Sequence, residues 1–425
     1  MKFNLFVLPT IPATSEERER LRPIGRNNKH FQEMIRQMRE LAIMADEMGF
    51  ATYSTTEHHL HSEGFEASIA PLMFYTDLAA RTKKIKFASL GLVLPTWDPI
   101  RVAEETAILD HLTQGRFIAG FARGYQDRWS NILGQQYHVT GTPMDGSAVD
   151  NRNREVFEEM FKIIKMAWTQ ESIRYKGKYY QIPNPYEEGI RRWPVGKTWT
   201  SKYGAHDEVD ADGYVQRVCV VPKPYTEPHP PLWQPFSVSE KTIRWCAQEG
   251  IMPWILISHP PAFRQLCEAY LEEANKAGRK LALGDSIGAH RSVHLGKTRD
   301  EAYALGQTAA GVAWPDYFAP FGFFEAFRFP GETTPVPPTY DRMIEAKFEM
   351  IGTVDDIKRE LEAMVKNTNL EWFGWYFDQG VMSWDDQRRQ MELFSKVMKE
   401  FNDLDGSPKR GIKSAAEQKA APERV

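Results

Sequence analysis

Along the chain, short apolar runs of strand length alternate with longer segments whose apolar residues recur every three to four positions. Residues 3–8 form the first run. Residues 31–48 follow with apolar side chains at Met34, Ile35, Met38, Leu41, Ala42 and Ala45, the spacing of one helix face. Gly49 then stands where a helix end favours glycine. The same reading predicts strands at 51–56, 85–94 and 117–121, with helices at 69–80 and 102–112. Such alternation implies a parallel sheet, because parallel neighbours need long crossover connections.

After a predicted helix at 155–168 the rhythm stops. Residues 169–231 are rich in Tyr, Pro, Gly and charge, and 173–180 reads as a hairpin turning near Lys176–Gly177. The alternation resumes with strands at 232–236, 252–257 and 287–295 and helices at 240–247, 262–277 and 299–311. A second irregular stretch, 312–340, is dense in Phe and Pro. Helices at 340–350 and 354–365, a strand at 372–377 and a helix at 384–401 close the pattern. The strands beginning near 3, 51, 85, 117, 232, 252, 287 and 372 make eight βα units. Eight predicts an α/β protein of the (β/α)8 TIM-barrel type, one domain over 1–401 with insertions after strands 4 and 7 (169–231 and 312–340). Residues 402–425 lack aromatics and read as a disordered tail.

Composition narrows the function. Of 425 residues 42% are hydrophobic, enough for a large core, and 53 basic residues against 57 acidic ones leave a net charge of −4. A nucleic-acid binder carries a basic excess, so a small-molecule partner is expected instead. Cys219, Cys246 and Cys267 are odd in number and show no C-x-x-C spacing, which excludes a disulfide framework and points to a reducing cytoplasm. The densest apolar runs, such as 251–257, are far shorter than the roughly 18 residues of a membrane span. The opening residues likewise carry too short an apolar run for a signal peptide.

Three segments carry candidate chemistry. Glu57-His58-His59, with His61 close behind, ends the second strand, where a barrel places its catalytic loops. Neighbouring strand residues face opposite ways, so one imidazole would serve as base or donor and the other as scaffold; a surface-loop role stands beside this. No H-x-H or H-x-x-E partner follows, so no metal is expected. Arg123-Gly124 lies just past the fourth strand, where arginine can pair with a phosphate and glycine admits a close backbone. Ser237 and Ser239 precede a helix whose free N–H groups favour phosphate. The Ser237-x-x-Glu240 capping-box spacing explains the serines equally well. Together with Arg123 they favour a phosphorylated cofactor.

These residues, in this order, resemble the bacterial luciferase-like, flavin-dependent monooxygenase family. The blocks are Gly49–Tyr53 leading into Glu57-His58-His59, then Gly91-Leu92-Val93-Leu94-Pro95-Thr96, Leu109-Asp110 through Arg123-Gly124, and Trp245–Gly250. The resemblance covers 1–134 and 230–257 densely and is thin in both insertions. It implies a barrel that takes reduced FMN from a separate flavin reductase and, through a peroxyflavin and O2, oxygenates a small hydrophobic organic substrate. By residue match His58 would be catalytic, supported by His59 and Glu57. Arg123, with Gly124 and Tyr125 behind it, would hold the FMN phosphate with Ser239 and Thr242. Ser89-Leu90-Gly91 would lie against the isoalloxazine, with a cis peptide at Leu90–Gly91.

Two departures stand out: Ala122 where the light-emitting luciferases have a reactive cysteine, and Val238 where they have a carboxylate. Tyr179, Tyr180, Trp193 and Trp199 in the first insertion, and Trp314, Tyr317, Phe318, Phe321, Phe323 and Phe324 in the second, are candidate walls and lid. Ordinary core or a subunit interface accounts for them equally. A homodimer is expected. The alternatives are a deazaflavin-dependent oxidoreductase of the same superfamily, a non-catalytic flavin-binding protein and a metal-dependent barrel hydrolase.

Overall fold

Every residue of 372–377 and of 288–295 is buried, as strands covered on both faces must be. They belong to a computed structural model that describes residues 1–377 and 381–402. Its strands are β1 (Lys2–Val7), β2 (Thr52–Thr55), β3 (Lys86–Ser89), β4 (Leu92–Val93), β5 (Phe117–Ala122), β6 (Tyr175–Lys176) and β7 (Gln181–Ile182). They continue with β8 (Leu232–Ser237), β9 (Met252–Ile255), β10 (Gly288–Leu295), β11 (Glu349–Gly352) and β12 (Trp372–Phe377). The chain divides into two units, one formed by residues 1–71, 77–91 and 232 onward, the other by 72–76 and 92–231.

The first unit holds the parallel path β3–β2–β1–β12–β10–β9–β8, seven of the eight predicted strands. Leu5 of β1 stands in register with Trp375 on one side and Tyr53 on the other. Phe6 meets Tyr376, His290 and Phe236 at ring-centre distances of 4.9, 5.0 and 5.5 Å. Burying one such phenylalanine contributes about 1.5–3 kcal/mol. Trp254 fits beside β10 because Gly288 has no side chain; a Cβ there would lie 2.3 Å from the indole.

Helix Asn28–Met48 begins at Asn27, whose side chain accepts from the His30 N–H, and ends at Gly49 with φ 86°. Met34, Met38, Leu41, Ala42 and Ala45 are buried as predicted; Ile35 is half-buried, and Gln37 takes a buried place. The helix expected over 340–350 ends at Glu345, and the chain re-enters the sheet as β11 against Ser292–Leu295. Phe348, Met350 and Ile351 are buried there, so burial in the sheet outweighs the helical spacing.

In the second unit β4 pairs with β5, placing Leu92 beside Phe121 and Val93 beside Ala122. The expected strand 85–94 is thus two strands, interrupted at Leu90–Gly91. Helix Pro99–Thr113 packs on Ala148–Thr169, where Trp168 donates to the Ala103 carbonyl at 3.1 Å. The insertion hairpin is β6–β7, turning over 177–180 rather than at 176–177. Glu159 causes the shift by accepting the N–H groups of Lys178, Tyr179 and Tyr180 at 3.0, 3.0 and 2.9 Å. Asn402, the first residue of the expected tail, is buried, and 403–425 lie outside the described residues. Among the described residues no helix is long and apolar enough to cross a membrane.

Candidate active site

β2 ends at Thr55, and the chain beyond it is free of sheet pairing, so successive side chains find different partners. His58 is buried with 4% exposure. Its Nδ1 lies 2.8 Å from the Thr56 hydroxyl, which lies 3.2 Å from the Ser68 hydroxyl. The same Nδ1 is 3.5 Å from Glu66. Tyr317, from the second insertion, donates to Glu66 Oε2 at 3.0 Å and lies 3.1 Å from His61 Nδ1. Burial, reinforced by His61 and His59, holds the His58 pKa well below its ordinary value. A neutral imidazole results near pH 7, able to accept a proton at one nitrogen.

His59 points elsewhere. Its Nε2 meets Glu57 Oε1 at 2.8 Å, and its side chain is 18% exposed. Glu57 therefore serves His59, and the carboxylate near His58 is Glu66, which the sequence reading missed. Nothing in the sequence singles it out, since Glu57 and Glu63 are acids of the same loop. The two imidazoles take different partners, although the alternation of a strand does not extend to them because β2 ends at Thr55.

Ser89, Leu90 and Gly91 are all buried, and Leu90–Gly91 is cis. Ser89 is in register with Thr55, and the Leu90 N–H donates to the Thr55 carbonyl at 2.7 Å. The segments 57–59 and 89–91 therefore leave from neighbouring strand ends.

Ser239, not Ser237, caps helix Glu240–Glu249: its Oγ accepts the Thr242 N–H at 3.3 Å and donates to Thr242 Oγ1 at 3.0 Å. The Ser237–Glu240 capping box is not formed, because Ser237 is the last residue of β8 and still faces the core. Its hydroxyl has no hydrogen-bond partner among the described residues. Ser239 itself is exposed.

In the second unit Arg123 Nη1 donates to Asp150 at 2.6 Å, near the start of helix Ala148–Thr169. Burial and the neighbouring Arg154 lower its pKa, while Asp150 opposes them. Gly124 has φ 79°, and a Cβ there would lie 2.8 Å from Val93 Cγ1 and 2.9 Å from Ser130 Oγ, so only glycine fits. The Tyr125 hydroxyl accepts from Gln126 Nε2 at 2.8 Å.

The family profile described as luciferase-like monooxygenase matches residues 1–326. The chain belongs to the luciferase-like monooxygenase family. It is 27% identical over 216 residues to an alkanal monooxygenase beta chain of Photorhabdus luminescens, covering 48% of this chain and 58% of that one. It is 23% identical over 340 residues to a 3,6-diketocamphane 1,6-monooxygenase of Pseudomonas putida, covering 79% and 82%.

Among solved structures, the FMN complex of the oxygenating constituent of 3,6-diketocamphane monooxygenase from Pseudomonas putida, a type II Baeyer–Villiger monooxygenase, superimposes with TM-score 0.68 at 18% identity, covering 93% and 97%. An F420-dependent secondary alcohol dehydrogenase, solved with an F420–acetone adduct, superimposes with TM-score 0.58 at 15% identity, covering 95% and 99%. The fold of this luciferase-like monooxygenase is the (β/α)8 barrel expected.

Three of the expected pocket aromatics of this monooxygenase stand in solvent: Trp193 is 46% exposed, Trp199 64% and, in the second insertion, Phe321 38%. In the first insertion both tryptophans point outward, with Trp199 packed on Tyr203. Tyr179 and Tyr180 are held through their hydroxyls by Glu155 and Asp98. In the second insertion Trp314, Phe318 and Phe324 are buried core. Tyr317 packs on Phe65 at 4.6 Å between ring centres, directly over the histidine loop.

Proposed function

We propose that this luciferase-like monooxygenase takes up reduced FMN from a separate flavin reductase and uses O2 to oxygenate a small hydrophobic organic molecule. The observation that carries the reading is a buried, neutral His58 braced by Thr56 and Ser68 beneath an aromatic cover from the second insertion. Bound reduced FMN supplies the two electrons that let one oxygen atom of O2 enter the substrate while the other leaves as water. The residues fit such a group. In the first unit the exposed Ser239 hydroxyl and the half-buried Thr242 hydroxyl at a helix start would bind its phosphate; in the second, Arg123 with Gly124 and Tyr125 is the other candidate for that task.

Ser89, Leu90 and Gly91, buried at the end of β3, would lie against the flat ring of FMN. His58, with Nδ1 engaged by Thr56, exchanges its proton at Nε2. Glu57 fixes His59, and Tyr317 with Phe65 and Phe318 keeps water from the histidine loop. A cytoplasmic homodimer belongs to this reading.

The likeness to an F420-dependent dehydrogenase supports a second reading, hydride transfer with a deazaflavin and no oxygen. Anaerobic fluorescence titration with reduced FMN and with reduced F420, followed by admission of O2, separates the two. Tight FMN binding with oxygen uptake supports the monooxygenase. Failure to bind FMN in either redox state overturns it.

A further inference from the structure

Arg291 of β10 is fully buried, yet it meets no carboxylate. Its Nη1 donates to the His290 carbonyl at 2.6 Å, and its Nη2 lies 3.3 and 3.5 Å from the Ile257 and Ser258 carbonyls. The guanidinium stands 5.3 Å over the Phe263 ring. Among the described residues no ion pair completes this set. Burial pushes its pKa down only to about 9, so the charge persists at pH 7.

Neighbours on a strand face opposite ways. His290 faces the aromatic cluster of Phe6, Phe236 and Trp254, while Arg291 faces helix Pro260–Lys276. There it lines a cavity of about 170 Å³, bounded also by Ser258, Phe263, Lys347, Met350 and Glu360. The Ser258 hydroxyl is buried and has no hydrogen-bond partner among the described residues. Lys347 and Glu360 stand 4.0 Å apart and offset one another, which leaves the wall with the single positive charge of Arg291.

A buried charge with no counterion is costly, and a donor fork of this kind matches a carboxylate. The rest of the lining is mostly apolar. We propose that this cavity, on the helix side of β9 and β10, is an accessory binding site for a small organic monocarboxylate. The carboxylate meets Arg291 and Ser258, and a short apolar body lies along Phe263 and Met350. Dry cavities of roughly 150 Å³ accept a benzene ring, so an aryl or short-chain acid is the right size. The site is independent of the flavin reading.

The test is calorimetric titration of the full chain with sodium benzoate, with benzyl alcohol as neutral counterpart and sodium phosphate as an anion lacking an apolar body. Benzoate is expected to bind roughly ten- to a hundredfold more tightly than benzyl alcohol, the span of a charged hydrogen bond. Phosphate is expected to bind far more weakly than benzoate. Arg291→Met should lose that advantage without a lower melting temperature, because an apolar side chain replaces an unpaired buried charge.

Ala363, exposed on the cavity wall, gives a second variant. Ala363→Phe fills the space without touching the charge and should also abolish benzoate binding. The proposal is overturned if wild-type protein shows no benzoate binding, or if phosphate binds as well as benzoate. It is also overturned if folded Arg291→Met, or Ala363→Phe should the first variant not fold, retains wild-type affinity.

Discussion

The Tyr317 hydroxyl, carried on the second insertion, donates to the Glu66 carboxylate at 3.0 Å, and Glu66 stands 3.5 Å from the His58 imidazole. A residue far along the chain is thus coupled to the first candidate catalytic residue through one buried acid. Tyr317→Phe should leave the fold intact and weaken the docking of 312–340 by about 1.5–3 kcal/mol, the range for a hydrogen bond to a charged group. Faster amide hydrogen exchange in that segment, with an unchanged rate in β1 and β12, is the expected result. Equal exchange in both proteins would remove Tyr317 from this role.

His58→Ala should still bind flavin but lose product formation by about 10²–10⁴-fold, the usual span for a positioned proton-transfer group. Product yield per reduced FMN consumed is the measurement. Normal turnover would exclude His58. His59→Ala, which breaks a pair at the more exposed edge of the loop, should have the smaller effect.

Acid should destabilise the protein in a defined window. His290 is fully buried against Phe6 and Trp254, and burial with the nearby Arg291 pushes its pKa down to about 3. Both of its ring nitrogens are without a hydrogen-bond partner among the described residues. The folded value lies below the unfolded one, so between about pH 6.5 and about pH 3 only the unfolded chain binds the proton. The contribution of His290 should be flat above that window and fall on acidification within it, by about 1.4 kcal/mol per pH unit. His58 shifts the same way and adds to the slope. Denaturant melts across this range should show His290→Leu losing part of the slope, and an unchanged slope would refute the assignment.

Arg123→Ala should weaken FMN binding by roughly ten- to a hundredfold and leave riboflavin, which lacks the phosphate, unaffected. Equal loss for both ligands would mean that Arg123 acts structurally through Asp150. Gly124→Ala tests the neighbouring backbone. Its Cβ would collide with Val93 and Ser130 at a positive φ, and a lower melting temperature by calorimetry is expected.

Much of the barrel was legible in the chain itself. Strand positions, the Gly49 helix end and the two insertions follow from hydrophobic spacing and glycine placement, which act over a few residues. The helix expected through 350 fails because Phe348 to Ile351 have the spacing of a helix but gain more by pairing with β10, a contact no local pattern encodes. The capping serine was misplaced by two positions for a like reason, since β8 runs on through Ser237.

What the amino-acid order determined alone is the succession of elements and the residue types brought to the strand ends, His58 and Arg123 among them. Which carboxylate serves which imidazole, and which aromatics are core and which stand in solvent, were decided by tertiary packing. Glu66 reaches His58, and Tyr317 reaches Glu66, only because folding brings distant segments within hydrogen-bond range. The unpaired charge of Arg291 has the same origin: a strand pattern says which way a side chain points, but not whether a counterion waits there.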